Sequence, residues 1–463
     1  MKPVIVLIGR PNVGKSTLFN RLTAEPVALI ADEPGVTRDR LYGTGRLDTR
    51  EYIVVDTGGM SGALEPLPIG DKTESLQGHI EQQISFALNE ADAVIFVADY
   101  RTGCTATDTQ IGNFLRRTGK PVWTAVNKAE GVNADLAVTE FHALGLGIPH
   151  AVSAAHGDGV RALMTNVMAV FPPGVDSPPV SDRPRFAVIG RPNVGKSTLI
   201  NALVGEKRVI VSGESGTTRD RIEIPLNRKD RQYVVVDTAG VRRRHGKGDA
   251  IEKSAVIKTL QAVDMADVAI LLMDGSVGVQ EQDAALAGYV ISQGRALVVA
   301  VNKWDLVNGV ERKLVKQELT RKLGFADFAR PHFISALKGS GIESMLHGVR
   351  AAYAAAARDL STSRLTEALQ KAVRAVPPPV VRGRRARLKL AHQGGRHPPL
   401  IVVYGSRATS LPTAYRRYLA NSLRASFQLM GTPVRIEFRE SSDPARKRVR
   451  KGGRRAYKRR KRS

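Results

Sequence analysis

The sequence GRPNVGKST occurs twice in this chain, at residues 9–17 and again at 190–198. Each copy satisfies the phosphate-loop pattern G-x-x-x-x-G-K-[ST] and lies between a short apolar run and apolar residues at helical spacing. The backbone N–H groups of such a loop can bind phosphate oxygens, its lysine can reach the β- and γ-phosphates, and its serine can bind Mg²⁺. The residues predicted to surround the phosphates are Gly9, Arg10, Pro11, Asn12, Val13, Gly14, Lys15 and Ser16, and in the second copy Gly190, Arg191, Pro192, Asn193, Val194, Gly195, Lys196 and Ser197.

Downstream of each phosphate loop, an aspartate ends an apolar strand and begins a D-x-x-G sequence, at Asp56 and at Asp237. The carboxylate suits Mg²⁺ held through water, and the glycine N–H can contact the γ-phosphate. Alone this pattern is a common turn, so its interpretation depends on the phosphate loop upstream. The predicted contacts are Asp56, Thr57, Gly58, Gly59 and Met60, and in the second copy Asp237, Thr238, Ala239, Gly240 and Val241.

Two threonines, Thr37 in PGVTRDR and Thr218 in SGTTRDR, also match each other. They are predicted to reach Mg²⁺ and the γ-phosphate only when a triphosphate is bound. Switch loops are therefore predicted around residues 31–40, 57–75, 212–220 and 238–252. The metal ligands predicted for the two sites are Ser16, Thr37, Asp56, Ser197, Thr218 and Asp237.

A third motif, N-K-x-D, can select the base, because its carboxylate accepts hydrogen bonds from guanine N1–H and N2–H, a donor pair that adenine lacks. The second copy has the complete motif, whereas the first ends in Glu130, which keeps the charge and adds one methylene. Guanine selectivity at the first site therefore stays open. The residues predicted around the base are Asn127, Lys128, Ala129, Glu130, Ser153 and Ala154, and in the second copy Asn302, Lys303, Trp304, Asp305, Ser335 and Ala336.

These motifs require elements that bring them together, and the sequence indicates one domain present twice. The phosphate loops are 181 residues apart, Asn127 and Asn302 are 175 apart, and Ser153 and Ser335 are 182 apart. Continuous apolar runs such as AVIFVAD alternate with helical stretches, which is typical of an α/β fold with a parallel sheet covered on both faces. In such sheets, ligands bind beyond the carboxyl ends of the strands, where all the motifs fall.

Composition changes mark the predicted domain boundaries. The first α/β domain is assigned to residues 1–170, and the proline-rich stretch 171–184 to a linker. The second α/β domain is assigned to 185–358. Residues 359–442, called the C-terminal module below, have an α-β-β-α-β pattern, and 443–463 form a basic tail that is predicted to be disordered until a partner neutralises it.

The net charge of +26 is concentrated at the end of the chain: residues 380–463 hold 24 Lys and Arg against 3 Asp and Glu. This imbalance indicates a polyanionic partner. A single cysteine, Cys104, excludes an internal disulfide and fits a reducing compartment. No apolar run reaches the roughly 18–20 residues that span a membrane, and the N-terminal VIVLIG leads straight into the phosphate loop, so it is interpreted as a strand and not as a signal peptide.

The order GxxxxGKS, Thr, DxxG, NKxD, SA resembles that of the TRAFAC-class GTPases. Two such domains followed by a basic α/β module are similar to one bacterial family, the Der (EngA) GTPases. The resemblance covers residues 1–442 and includes DTGG, DTAGVRRR, PPPVVRGRR and GTPVRIEF. It implies a GTPase in assembly of the large (50S) ribosomal subunit, with a KH-like C-terminal module that contacts ribosomal RNA.

The resemblance also implies how hydrolysis is assisted. Met60 and Val241 stand where many GTPases have a glutamine that positions water, and their side chains cannot donate a hydrogen bond, so slow intrinsic hydrolysis is expected. By analogy, Asn12 and Asn193 hold a K⁺ ion in the place of an arginine finger. The expected cofactors are GTP or GDP, Mg²⁺ and K⁺, and the expected state is a cytoplasmic monomer. The residues predicted to act in catalysis are Asn12, Lys15, Thr37, Asn193, Lys196 and Thr218.

Other functions are weighed against this one. A phosphate-loop ATPase is disfavoured by the complete NKWD, and a tRNA-modifying GTPase by the absence of a recognisable modification domain. An RNA-binding scaffold with one catalytically silent GTPase site stays open because of Glu130. The basic tail is expected to bind phosphates with strong salt dependence, and its lack of an amphipathic face disfavours a membrane surface.

RNA contacts are harder to assign. The C-terminal module has no G-x-x-G with basic central residues, the usual KH clamp on RNA. Phosphate contacts are therefore expected from Arg382, Arg384, Arg385, Arg387 and Lys389. Tyr404, Tyr415 and Tyr418 lie near basic residues and are candidates for base stacking, although Tyr404, at the end of an apolar strand, is rather expected in the core.

Overall fold

The computed structural model describes residues 2–23, 41–48, 50–57, 88, 91–172, 183–204, 223–228, 231–236, 255–381 and 383–440. The chain divides into two units, Met1–Ser181 with Arg242–Ala262, and Asp182–Val241 with Val263–Ser463. The predicted basic tail and most of the predicted linker lie outside the described residues. Across the described ranges, none of the helices combines the length and apolar character needed to cross a membrane.

A six-stranded sheet forms the centre of the first unit, in the order β2-β3-β1-β4-β5-β6. All neighbours are parallel except β2, which is antiparallel to β3. Every residue of β1 and β4 is buried, because helices cover both faces of the sheet. The strands are β1 Val4–Ile8, β2 Leu41–Leu47, β3 Arg50–Asp56, β4 Ala93–Asp99, β5 Val122–Asn127 and β6 His150–Ala151; the described helices of eight or more residues are α1 Lys15–Leu22, α2 Ala106–Arg117 and α4 Val160–Ala169, with the short α3 Ala134–Val138.

The second unit repeats this sheet as β8-β9-β7-β10-β11-β12, again with one antiparallel pair, β8 and β9. Its central strands β10 and β11 are buried along their whole length. The strands are β7 Arg185–Ile189, β8 Glu223–Arg228, β9 Arg231–Val236, β10 Val268–Asp274, β11 Ala296–Asn302 and β12 Pro331–Phe333; the helices in this part of the chain are α5 Lys196–Val204, α6 Ala255–Met265, α7 Glu281–Ser292, α8 Gly309–Lys322 and α9 Ile342–Ala357. Most of α6, up to Ala262, belongs to the first unit.

The prediction of two α/β domains with mainly parallel sheets is confirmed. The antiparallel edge strands β2 and β8 were missed by the sequence analysis. Both are only partly apolar: β8 alternates exposed and buried residues and contains Pro225, which an edge strand tolerates because one side of it forms no ladder. Their weak apolar signal is the physical reason that a search for continuous buried runs does not find them.

The C-terminal module follows the predicted α-β-β-α-β order, with an additional two-stranded hairpin, β13–β14, before the sheet. Its sheet has the order β15-β16-β17, antiparallel and then parallel. Apolar residues of both helices, such as Leu369 and Leu419, pack with Ile401 and Val403 of the central strand. The elements are α10 Thr362–Ala375, β13 Val380–Val381, β14 Arg384–Arg385, β15 Arg387–Gly395, β16 Leu400–Ser406, α11 Thr413–Ser426 and β17 Arg435–Glu440.

Within the second unit, a loop of the C-terminal module is hydrogen-bonded to the α/β domain. The carbonyl of Gly431 accepts a hydrogen bond from Leu297 N (2.7 Å), and Gly431 N donates to Phe328 O (2.9 Å). The Arg424 guanidinium lies 4.3 Å from the ring centroid of Phe328. Leu297 stands near the amino end of β11, whose carboxyl end is Asn302. The module therefore contacts the sheet near the amino end of β11, and the base motif follows the carboxyl end of the same strand.

We expect Gly431→Ala to destabilise this contact. Gly431 has φ of +72°, and a Cβ there would lie 2.5 Å from the Cβ of Ala352. Backbone strain and overlap together should cost about 2–4 kcal/mol. Gly383 has φ of +71° but no atom within 4 Å of a built Cβ, so Gly383→Ala is the matched control and should cost about 1 kcal/mol. Calorimetric unfolding of both variants checks this, and equal shifts in Tm would contradict it.

Candidate nucleotide-binding sites

Each phosphate loop is in direct contact with the base motif of its own domain. Gly14 has φ of +95°, and a Cβ there would overlap the side-chain amide of Asn127. Gly195 has φ of +99° and stands against the amide of Asn302 in the same way. Only glycine combines a positive φ with so close an approach. The second glycine of G-x-x-x-x-G-K thus allows the two motifs to meet.

The asparagine of each base motif bridges two loops. Asn127 Nδ2 donates to Val13 O (2.8 Å), and its Oδ1 accepts from Ala154 N (2.9 Å). Asn302 makes the equivalent bonds to Val194 O and from Ala336 N, at the same two distances. Both asparagines are almost fully buried. The phosphate loop, the base motif and the S-A loop are therefore held together in both domains.

The lysine of each base motif has a second role. Lys128 Nζ donates to Asp99 Oδ2 (2.6 Å) and to Asn12 O (2.9 Å), so it ties the end of β4 to the phosphate loop. Lys303 Nζ donates to Asp274 Oδ2, also at 2.6 Å. Both lysines have φ near +60°, an unfavourable region for a side-chain-bearing residue that the surrounding contacts maintain.

The lysine of each phosphate loop bonds to its own loop. Lys15 Nζ donates to the carbonyls of Gly9 (2.8 Å) and Arg10 (2.7 Å), and Lys196 Nζ makes the same two bonds to Gly190 and Arg191. Burial lowers the pKa of Lys15 to about 8; the nearby Asp56 carboxylate opposes this shift and Arg10 adds to it. A phosphate arriving here would exchange carbonyl partners for anionic oxygens, which favour the charged amine.

Two of the three predicted magnesium ligands of the first copy, Ser16 and Asp56, are in contact. Ser16 Oγ donates to Asp56 Oδ2 at 2.7 Å, at the carboxyl end of β3. A hydroxyl and a carboxylate fit Mg²⁺, which takes oxygen ligands and uses few protein groups beside phosphates and water. Where the coordinates are described, no group of three or more His, Cys, Asp and Glu suggests another metal site. Thr57, by contrast, donates its hydroxyl to Leu7 O (2.6 Å) and therefore stabilises the sheet.

Several predicted site residues lie outside the described residues, so the structure places none of them. They include both switch threonines, half of the first D-x-x-G sequence and all of the second. The residues concerned are Thr37, Gly58, Gly59, Met60, Thr218, Asp237, Thr238, Ala239, Gly240 and Val241. Ser197 is described, and its predicted partner Asp237 is not.

The carboxylate that ends each base motif has a cationic neighbour, and the neighbour differs between the copies. Arg101 donates to Glu130 Oε1 at 2.6 Å, whereas Lys338 lies 3.4 Å from Asp305 Oδ2. In the second copy, Trp304 packs on Phe333 with ring centroids 4.2 Å apart. Trp304 is thus a packing residue beside the base position, as its type suggests.

The sequence analysis missed residues that support the phosphate loops. Arg10 Nε donates to both carboxylate oxygens of Asp108 at 2.9 Å, and Arg191 Nε donates to Asp283 Oδ1 at 3.0 Å. Both aspartates are fully buried and also cap the first turn of the following helix. A signal was present: Asp108 and Asp283 are 175 residues apart, the same offset as Asn127 and Asn302.

The residues of the C-terminal module that were predicted to contact RNA differ in how exposed they are. Arg384, Arg385, Arg387 and Lys389 are exposed along β14 and β15, and Arg382 lies outside the described residues. The expectation of base stacking is wrong for Tyr415, which is buried, and it stays a prediction for Tyr418, which is partly buried. Tyr415 and Tyr418 donate their hydroxyls to Val376 O (2.7 Å) and Ala372 O (2.9 Å), so they hold α11 to the end of α10.

Tyr404, expected in the core, is only half-buried. Its ring stacks on His392 with centroids 5.6 Å apart and an interplanar angle of 20°. It faces away from the helices because its neighbours Val403 and Ile401 point into the core and alternate with it along β16.

Comparisons with known proteins agree with this geometry. A family model described as "50S ribosome-binding GTPase" matches residues 4–128 and again 185–303. A second model, described as "KH-domain-like of EngA bacterial GTPase enzymes, C-terminal", matches 360–439. GTPase Der of Aromatoleum aromaticum is 51% identical over 445 residues, covering 96% of this chain and 99% of the relative. GTPase Der of Azoarcus sp. is 50% identical with the same coverage, and that of Chromobacterium violaceum is 49% identical, covering 96% and 93%.

We expect nucleotide affinity at the first site to fall as the pH rises through about 8. Below that value the Lys15 amine is already charged, and above it the amine must take up a proton on binding, because bound phosphates raise its pKa again. The loss should be about fivefold between pH 8 and 9 and should approach tenfold per pH unit at higher pH.

Calorimetric titration with GDP in two buffers of different ionisation enthalpy measures both affinity and proton uptake. The titrated chain carries Lys196→Ala, so that only the first site responds. Lys15→Arg is the control, since a guanidinium does not titrate in this range. Constant affinity from pH 7 to 9 with Lys15 in place would contradict the prediction.

Proposed function

The chain belongs to the GTPase Der family, and on that premise we propose that it is a two-site GTP switch that assists assembly of the large ribosomal subunit through contacts with ribosomal RNA. GTP hydrolysis, predicted from the motifs and the resemblance, is confirmed by the family. The observation that carries the finer proposal is the double match to a model described as a ribosome-binding GTPase, followed by the KH-like match. The proposal includes a cytoplasmic monomer and the domain boundaries given above.

Two working sites are proposed because the hydrogen bonds that hold the phosphate loop are the same in both copies. The bonds of Asn127 and Asn302 have equal lengths, and so do those of Lys15 and Lys196. The first copy therefore keeps the loop arrangement of the second copy, whose NKWD motif is complete. The alternative, an RNA-binding scaffold with a silent first site, rests on Glu130. Counting bound guanine nucleotides per chain, with Lys15→Ala and Lys196→Ala as references, separates the two.

The residues of each site have distinct tasks in hydrolysis. The phosphate-loop lysine neutralises the transferred phosphoryl group, and the serine–aspartate pair would hold Mg²⁺, which, when bound, neutralises charge on the β- and γ-phosphates. Asn127 and Lys128 keep the loop in the conformation that presents its N–H groups. Asn12 and Asn193 have φ near +60° at the matching loop position, and we assign them to the proposed K⁺ ion.

RNA contact is proposed along the basic strip formed by Arg384, Arg385, Arg387 and Lys389. All four side chains are exposed, and no ion pair is described for them in the part of the chain that the structure covers. Phosphates bound there would release counterions, which makes the affinity strongly dependent on salt. The loop at Gly431 is hydrogen-bonded to the second α/β domain. We therefore do not propose that this loop binds RNA as a KH-type clamp.

GTP turnover should be faster in K⁺ than in Na⁺, and Asn193→Ala should remove the difference at the second site. Loss of one group that stabilises transition-state charge costs about tenfold or more in kcat. Phosphate release in matched KCl and NaCl buffers measures this in a chain whose first site is disabled by Lys15→Ala. Equal turnover in both salts for the parent chain would refute the proposed K⁺ role.

Binding to purified large ribosomal subunits tests the function itself. We expect co-sedimentation with a non-hydrolysable GTP analogue to exceed that with GDP, and Arg387→Glu with Lys389→Glu to weaken it by roughly tenfold at moderate salt. The control reverses two exposed arginines of the α/β domain, Arg321→Glu with Arg330→Glu, at the same net charge. Equal binding in both nucleotide states, or equal losses in both double variants, would contradict a switch that acts through the basic strip.

A further inference from the structure

The two base motifs share their first two residues and the backbone hydrogen bond of the third, and they differ in the side chains of the third and fourth residues. Lys128 and Lys303 bind the aspartates that end β4 and β10 at the same distance of 2.6 Å. The next residue in each motif is anchored by a backbone bond to the strand beside it, Ala129 N to Val152 O and Trp304 N to Ile334 O. The carboxylate of Glu130 therefore starts from the same backbone position as that of Asp305, with one more methylene and one more rotatable bond.

That longer side chain is held by a residue that the second copy lacks. Arg101 Nη2 lies 2.6 Å from Glu130 Oε1, with the arginine side chain 65% exposed and the glutamate 26% exposed. The residue of the second copy at the matching offset of 175 is Ser276, which is uncharged. There the carboxylate of Asp305 is 14% exposed and has its cation, Lys338, at the longer distance of 3.4 Å.

The backbone of Arg101 is fixed by the same carboxylate that anchors the base motif. Arg101 N donates to Asp99 Oδ1 (3.0 Å), while Asp99 Oδ2 accepts from Lys128 (2.6 Å). In the second copy, Ser276 N donates to Asp274 Oδ1 at 3.0 Å. The backbone hydrogen bond to the strand-ending aspartate is thus common to both copies. Only in the first copy does the residue that makes this bond carry a cation, which lies beside the last carboxylate of the base motif.

We propose that Arg101 is the positioning residue for guanine recognition at the first site, because it holds the Glu130 carboxylate at the base. A carboxylate has about four lone-pair positions, so one bond to Arg101 leaves room for guanine N1–H and N2–H. An exposed ion pair of this kind contributes little by itself, but a bound base covers it and strengthens the attraction. The inference rests on the proposed function, since it requires a working first site.

This role couples Arg101 to the length of the side chain at position 130. Ser153 also hydrogen-bonds to the Glu130 carboxylate. With glutamate, loss of the guanidinium leaves Ser153 as the remaining side-chain partner and loosens an additional rotor, whose ordering on binding has an entropic cost. With aspartate, as in the second copy, no such rotor exists. Arg101 should therefore matter for guanine affinity only when residue 130 is glutamate, which a merely structural arginine would not show.

The experiment is a double-mutant cycle in the full chain carrying Lys196→Ala, with Kd for GDP, IDP and ADP measured by competition against a fluorescent GDP. We expect Arg101→Ala to weaken GDP binding about five- to tenfold and to narrow the preference for GDP over IDP, which lacks the 2-amino group. Arg101→Lys should recover part of the loss. In the Glu130→Asp background, Arg101→Ala should change the Kd for GDP less than about twofold.

The matched control is Arg161→Ala, which removes another exposed arginine–carboxylate pair of the same unit, with Asp48 at 2.8 Å. It should leave the Kd for GDP unchanged. Equal losses for Arg101→Ala with Glu130 present and in the Glu130→Asp background, or no loss in either, would overturn the inference while leaving a working first site. No guanine nucleotide bound with Arg101 intact would overturn the two-site proposal and the inference together.

Discussion

The arrangement of both sites depends on one hydrogen bond, from the side-chain amide of the base-motif asparagine to a carbonyl of the phosphate loop. It joins Asn127 to Val13 and Asn302 to Val194, more than a hundred residues apart in each domain. The bond exists because a glycine without Cβ follows that carbonyl. Phosphate binding and base selection are thereby held at one sheet edge, and the parallel strands β1, β4 and β5 set its geometry.

The buried hydrogen bonds that join the phosphate loop to the base motif are the same in the two copies, whereas the partly exposed ion pairs near them differ. The buried asparagines, the lysine–aspartate pairs and the arginine–aspartate supports of the phosphate loops recur with nearly equal distances. By contrast, the partly exposed carboxylate changes from Glu130 to Asp305, and its cationic neighbour changes from Arg101 to Lys338. Buried polar groups must keep their partners because an unsatisfied one is costly, whereas a solvated ion pair is replaced at little cost. The two sites are therefore expected to differ in how tightly they hold the base.

The C-terminal module contacts the second sheet near the amino ends of its strands, opposite to the carboxyl ends that carry the nucleotide site. Leu297 bonds to the module near the start of β11, and Asn302 ends the same fully buried strand. One rigid strand therefore connects the base motif of the second site with the module. The basic strip on β14 and β15 is exposed, so the polyanion contact proposed there would use a surface separate from the second nucleotide site.

The sequence by itself determined the chemistry and the fold class, because the phosphate loop, the D-x-x-G sequence and the base motif are local patterns and buried parallel strands read as continuous apolar runs. Only the tertiary structure decided which distant side chains meet. Arg10 with Asp108, Lys128 with Asp99, and Arg101 with Glu130 depend on how strand ends converge. The edge strands were also not predicted, because a partly buried strand has only a weak periodic signal. The partners of the tyrosine hydroxyls in the C-terminal module were not predicted either, because such contacts leave no pattern in the sequence.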